Sequence, residues 1–228
     1  MCHVPLVTFL NTPGVNSQLR TEKTIQWLLD GDPAIRWQTL KDLVGATARI
    51  VERERSKVAR EGWGARLLAR QDCEGTWAGG LSSDGGLYSP KWTSTTYTML
   101  LLRDFGLPTS NRQARRACAL LLDRGLQRDG GINYGWRGRS ETCITGMVLS
   151  ILSCFEHADE RLDTLADYLL GEQMSDGGWS CRRDYGATHS SVHTTISVLE
   201  GLRLYELHRG RSTRSPPAIR ADGGESPT

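Results

Sequence analysis

Two residues able to do chemistry stand at matching places in the chain. Cys143 opens the run Cys143-Ile-Thr-Gly-Met-Val-Leu-Ser-Ile-Leu, and His193 opens His193-Thr-Thr-Ile-Ser-Val-Leu-Glu-Gly-Leu, 50 residues later. A thiolate and an imidazole are ligands for a metal such as zinc, and they are also the parts of an activated nucleophile. Both have structural roles too. A cysteine packs as a small hydrophobe, and a histidine near a helix start is satisfied by backbone carbonyls. A nucleophile pair needs an orienting third group and oxyanion donors, and no sequence feature supplies either. Cys2, Cys73, Cys118 and Cys154 show no ligand spacing. The turn Asp176-Gly-Gly-Trp lacks the Gly-Lys-Ser/Thr of a phosphate loop.

The elements that must position these residues repeat. Three glycine-rich signals recur: Gln71-Asp-Cys-Glu-Gly75-Thr-Trp77, Gln127-Arg-Asp-Gly130-Gly131-Ile132 and Gln173-Met-Ser-Asp-Gly177-Gly178-Trp179. Each precedes an apolar helix rich in small residues, predicted at 91–106, 141–155 and 190–207. Superimposed without gaps, the helices place Ser94, Cys143 and His193 at equivalent positions, with a period close to 50 residues. Amphipathic helices lie between them. Ser110 is positioned to cap one carrying Ala114, Ala117, Cys118, Leu121 and Leu122; Asp159 is positioned to cap another carrying Leu162, Leu165, Ala166, Leu169 and Leu170. Asp32-Pro33 reads as the start of a further helix, stopped by Gly45. Each repeat thus pairs an apolar inner helix with an amphipathic outer one. There is no strand-like alternation. These features predict an all-α chain with an N-terminal extension over 1–20, a repeat domain over 21–208 and a disordered tail over 209–228.

Bulk properties narrow the function classes. The 228 residues are 38% hydrophobic and 24% charged, with a formal net charge of +2, too small for a nucleic-acid footprint. The first residues lack the charged and apolar regions of a signal peptide, and no window approaches the length of a membrane span. The cytoplasm is the expected compartment, with the cysteines as thiols or ligands.

The Gln-x-x-x-Gly-x-Trp signals resemble the QW motifs of squalene–hopene and oxidosqualene cyclases. The helix-pair period resembles both those enzymes and the protein prenyltransferase β-subunits, over about residues 32–205. That resemblance implies an α/α-toroid whose central cavity receives an isoprenoid or other apolar substrate. Trp92, Tyr97, Tyr134 and Trp136 are the wall residues expected from it. Prenyltransferase β-subunits hold zinc with an Asp-x-Cys and a later His. Carried over, the ligands are Glu141, Cys143 and His193, with Cys181 and His189 as further candidates. The Asp is replaced by a longer Glu, and the intervening segment is short for the family. The Asp-x-Asp-Asp acid of proton-initiated cyclases is absent. Asp159-Glu160-Arg-Leu-Asp163 is similar to a terpene-synthase magnesium motif but reads as helix capping. The expected function is a zinc-dependent prenyltransferase- or cyclase-like protein. The alternative is a non-catalytic helical scaffold of the same fold. A full ring of the family has about six helix pairs, so the helix at 190–207 is expected to show an unpaired apolar flank, available for self-association or a partner subunit.

Overall fold

The computed structural model describes residues 15–78, 82–135 and 139–211. Among these residues the chain is all-helical. Its elements are α1 (Val15–Leu29), α2 (Pro33–Asp42), α3 (Ala48–Arg55), α4 (Gly62–Leu68), α5 (Thr95–Asp104), α6 (Arg112–Gly125), α7 (Thr142–Cys154), α8 (Arg161–Gly171) and α9 (Val192–Arg211). Short 3-10 turns cover Ser56–Ala59 and Arg183–Tyr185. In place of a strand there is one isolated bridge, Leu126 to Ile132. No described helix is long and apolar enough to cross a membrane. Helix α1 begins inside the expected extension, and α9 runs to Arg211, past the expected boundary at 208. The remainder of the predicted tail, 212–228, lies outside the described residues.

The chain divides into two compact units, one of residues 1–66 with 105–107 and one of 67–104 with 108–228. In the first, Asp32 caps α2 by accepting the Ala34 N–H at 3.0 Å, with Pro33 as first helical residue. The Trp37 indole N–H donates to the Phe105 carbonyl at 2.8 Å.

In the second unit α7 lies between α5 and α9, while α6 packs on α5 and α7, and α8 on α7 and α9. This is the expected alternation of inner and outer helices. The outer stripes are buried as patterned on α6, with Ala114, Ala117, Cys118, Leu121 and Leu122, and on α8 at Leu162, Leu165, Ala166 and Leu169, while Leu170 at the stripe's end is only half-buried. The cap of α6 is Asn111 rather than Ser110, its side chain accepting from Ala114 N–H at 3.0 Å. Helix α7 is buried along almost its whole length. Its close packing on α9 rests on two glycines. A Cβ on Gly146 would lie 2.7 Å from the Ser197 carbonyl oxygen, and one on Gly201 would lie 2.5 Å from the Gly146 carbonyl oxygen.

The repeated turns are held by the same bonds three times. The N–H groups of Asp72, Gln127 and Met174 donate to the carbonyls of Thr76, Gly131 and Gly178, each at 2.9 Å. The N–H groups of Trp77, Ile132 and Trp179 donate to the hydroxyls of Thr95, Thr145 and Thr195 at 3.1, 2.9 and 3.0 Å. Gly75, Gly130 and Gly177 take the left-handed conformation each turn needs. The tryptophan indoles of the outer repeats reach back to the preceding helix, Trp77 to Leu67 O at 2.8 Å and Trp179 to Leu169 O at 2.6 Å. In the middle repeat, which has Ile132, Tyr134 takes that part and donates to Leu121 O at 2.8 Å. Gln71 and Gln173 each bond the carbonyl four residues on; Gln127, displaced by one position, bonds Gly125 O and Asn133 O instead.

These bonds correct one register. The threonine hydroxyls set α5 against α7 at a spacing of 50 rather than 49, so Thr93, not Ser94, matches Cys143. A gap-free overlay of apolar residues cannot see a one-residue offset on a helix whose Thr, Ser and Leu all tolerate burial. The hydrogen-bond pattern does.

Candidate functional site

Cys143 and His193 are each the second residue of an inner helix, α7 and α9. The Cys143 side chain is buried, and burial, together with the neighbouring Cys181 thiol and Glu141 carboxylate, pushes its thiol up to about 12. Cys181 follows the third turn. Its N–H donates to Thr194 Oγ1 at 3.4 Å, and its Sγ lies 3.8 Å from His193 Nε2. His193 is exposed, its Nε2 also 3.3 Å from Thr194 Oγ1. Cys181 thus links a buried thiol on α7 to an exposed imidazole on α9.

Glu141 occupies the N-cap position of α7 without accepting a capping bond. It lines a cavity of about 950 Å³ with Asn133, Arg139, Ser140, Cys181, Arg182, Asp184 and Tyr185. Burial raises the Glu141 carboxyl, and Lys91 opposes that rise. Half of its lining residues, Arg139, Glu141, Arg182 and Asp184, are acids or bases. Arg139 pairs with Asp184 at 3.0 Å across it.

An aromatic cluster is built from the linker before α5 and the first turn of that helix. The Tyr97 hydroxyl donates to Tyr88 Oη at 3.1 Å, and Trp92 packs on Tyr97 with ring centroids 5.0 Å apart. Burial, then Tyr97, Cys143 and Glu141, all raise the Tyr88 hydroxyl. Trp92 is 78% exposed and sits at φ +72°, a backbone conformation a bulky side chain rarely adopts.

Of the expected residues, Cys181 approaches His193, Cys143 neighbours Cys181 and Glu141, and Glu141 shares a cavity wall with Cys181, while Tyr97 and Trp92 pack on each other. His189 is exposed and lies on the loop before the start of α9, so it does not share a helix with His193. Tyr134 is a buried staple of its own repeat. Trp136 lies outside the described residues. Among those residues no three His, Cys, Asp or Glu side chains stand in a group that would hold a metal ion as placed. Asp159 accepts from the Arg161 backbone and guanidinium, and Asp163 accepts from the Tyr205 hydroxyl at 2.8 Å and pairs with Arg209. Both carboxylates are thus engaged within the chain; the N-cap position of α8 falls on Glu160 rather than on the expected Asp159, which still accepts the Arg161 N–H ahead of the first turn. Tyr88, Lys91 and the Arg139–Asp184 pair were not foreseen. They lie in the linkers between turn and helix, where the only signal is position within the repeat.

No protein-family model matches the chain, and a search of curated proteins finds no match for it.

Proposed function

We propose that this chain is a prenyltransferase- or squalene-cyclase-like protein that binds zinc through Cys143, Cys181 and His193 and acts on an isoprenoid or other apolar substrate. The observation that supports it is the approach of Cys181 Sγ to His193 Nε2 at 3.8 Å, with the Cys143 thiol beside Cys181. The donor chemistry is that of zinc, two sulfurs and an imidazole with a carboxylate at hand. The high Cys143 pKa belongs to the metal-free thiol, which must lose its proton on metal binding. Bound there, zinc would supply a Lewis acid with an open coordination position. The chain's own part is to hold the sulfurs at the ends of α7 and the third turn, and to keep Glu141 on the cavity wall. Tyr88, Tyr97 and Trp92 offer an aromatic surface to an apolar substrate.

Purification without added metal, followed by elemental analysis, tests this. About one zinc per chain is expected, lost in both Cys143→Ala and His193→Ala. A protein free of zinc, or a Cys143→Ala variant that keeps it, removes the metal site. The second reading, a non-catalytic scaffold, is favoured by the apolar face of α9 that the described residues leave exposed, which suits a protein whose work is to bind another helix.

A further inference from the structure

The 50-residue register set by Thr145 and Thr195 matches Thr142, Gly146, Leu149 and Ser153 of α7 with Val192, Ile196, Leu199 and Arg203 of α9. On α7 all four are buried, and Gly146 lies directly against Ser197 and Val198 of α9. On α9 the matching positions are open: Val192 is 78% exposed, Ile196 60% and Leu199 44%. Leu207 extends the row at 45% exposure. Spacings of four, three, four and four residues put 192, 196, 199, 203 and 207 on one helix face. This face of an inner helix is therefore built to take another inner helix. In α7 it has one, and in α9, among the described residues, it does not.

We propose that the face is covered by α9 of a second copy, in an antiparallel two-fold pair. The covering element must be an inner helix with its own apolar face free, and among the described residues of the second unit α9 is that helix. A two-fold contact closes both faces at once, because the same patch serves each copy. The charges agree. Arg203, in the middle of the row, has no ion-pair partner among the described residues. Glu200, which holds Arg103 at 3.1 Å, keeps 46% of its side chain exposed. A two-fold axis level with Gly201 and Leu202 sets Arg203 opposite Glu200 of the second copy and Ile196 opposite its Leu207. The central charges fix the direction, and the apolar pairs on either side exclude water. The zinc reading plays no part in this inference.

Sedimentation of the full chain from about 1 to 100 μM is the test, a range that brackets a micromolar association. A dimer is expected, with Ile196→Asp weakening association by about 30-fold or more, as for a central apolar contact. Leu199→Gln is to act in the same direction, and it replaces Ile196→Asp if circular dichroism shows that variant unfolded. Trp27→Ser, on the other compact unit, is to leave association unchanged. The register is read by pairing Ile196→Cys with Leu207→Cys, which is to give an intermolecular disulfide under mild oxidation. A monomer throughout the range overturns the proposal, as does a dimer indifferent to Ile196→Asp and Leu199→Gln. A monomer in which the α9 face is shielded from hydrogen exchange also overturns it, since that face is then covered from within the chain.

Discussion

The turns of the second unit and the starts of its inner helices repeat in opposite ways. At the turns the side chains vary while the backbone bond and the threonine tie that close them do not. Trp77 and Trp179 send an indole N–H to the preceding helix, and Tyr134 sends a hydroxyl, but all three bind one carbonyl near its end. At the matching positions around the inner-helix starts the side chains change, from Thr93, two residues ahead of α5, to Cys143 and His193, each the second residue of its helix. A position whose partner is the repeat's own backbone is held to one function by that partner. A helix start on the rim has no such partner and is open to chemistry. The difference separates the residues that make the fold from those that would use it.

The sharpest way to break this contrast is to remove a staple. Trp179 is 1% exposed and fills space between α8 and the turn. Trp179→Ala is expected to cost about 3–5 kcal/mol in urea unfolding, as for a large buried aromatic. Tyr134→Phe keeps the ring and loses one buried hydrogen bond, for about 1–2 kcal/mol. Equal losses at the two sites would show that packing of the indole is not what the outer repeats rely on.

A smaller effect is expected from the carboxylate that ties a turn to its helix. Burial alone would raise the Asp129 carboxyl, but the Ser140 hydroxyl and N–H and the Gly131 N–H hold it below the usual carboxylate range. A depressed folded pKa means that the folded state binds fewer protons than the unfolded one. Its contribution is therefore complete above about pH 4 and is lost as pH falls through the folded pKa. Asp129→Asn is expected to lower stability by about 1 kcal/mol at pH 7 and to flatten the fall in melting temperature between about pH 4 and pH 2. An unchanged acid profile would show that the tie is not used.

The smallest stability effect belongs to the rim. His193 is exposed, and His193→Ala is expected to change unfolding free energy by less than about 0.5 kcal/mol in metal-free protein, while abolishing any bound zinc. A large loss of stability without metal would make His193 a structural residue like the staples and erase the distinction.

Much of the fold was legible before the structure. The capping Asp32-Pro33, the stripes of α6 and α8, and the three inner helices all follow from local patterns. Each depends on residues within one or two helical turns of each other, so sequence spacing carries the information directly. The misplaced register of α5 and the replacement of Trp by Tyr134 were not legible. Both depend on which side chain reaches a carbonyl on another element, and hydrophobic pattern does not report that.

The candidate site divides along the same line. Sequence alone determined that Cys143 and His193 stand at equivalent helix starts, since a fixed period and an apolar run fix their places. Only the tertiary structure decided that Cys181 bridges them while His189 does not. Helix α9 begins at Val192, leaving His189 on the loop, and the path of the third turn brings Cys181 to His193. How closely α7 and α9 lie is set by Gly146 and Gly201, whose missing side chains let two backbones meet. Such contacts come from packing between elements 50 residues apart, for which the local sequence holds the parts but not the distance.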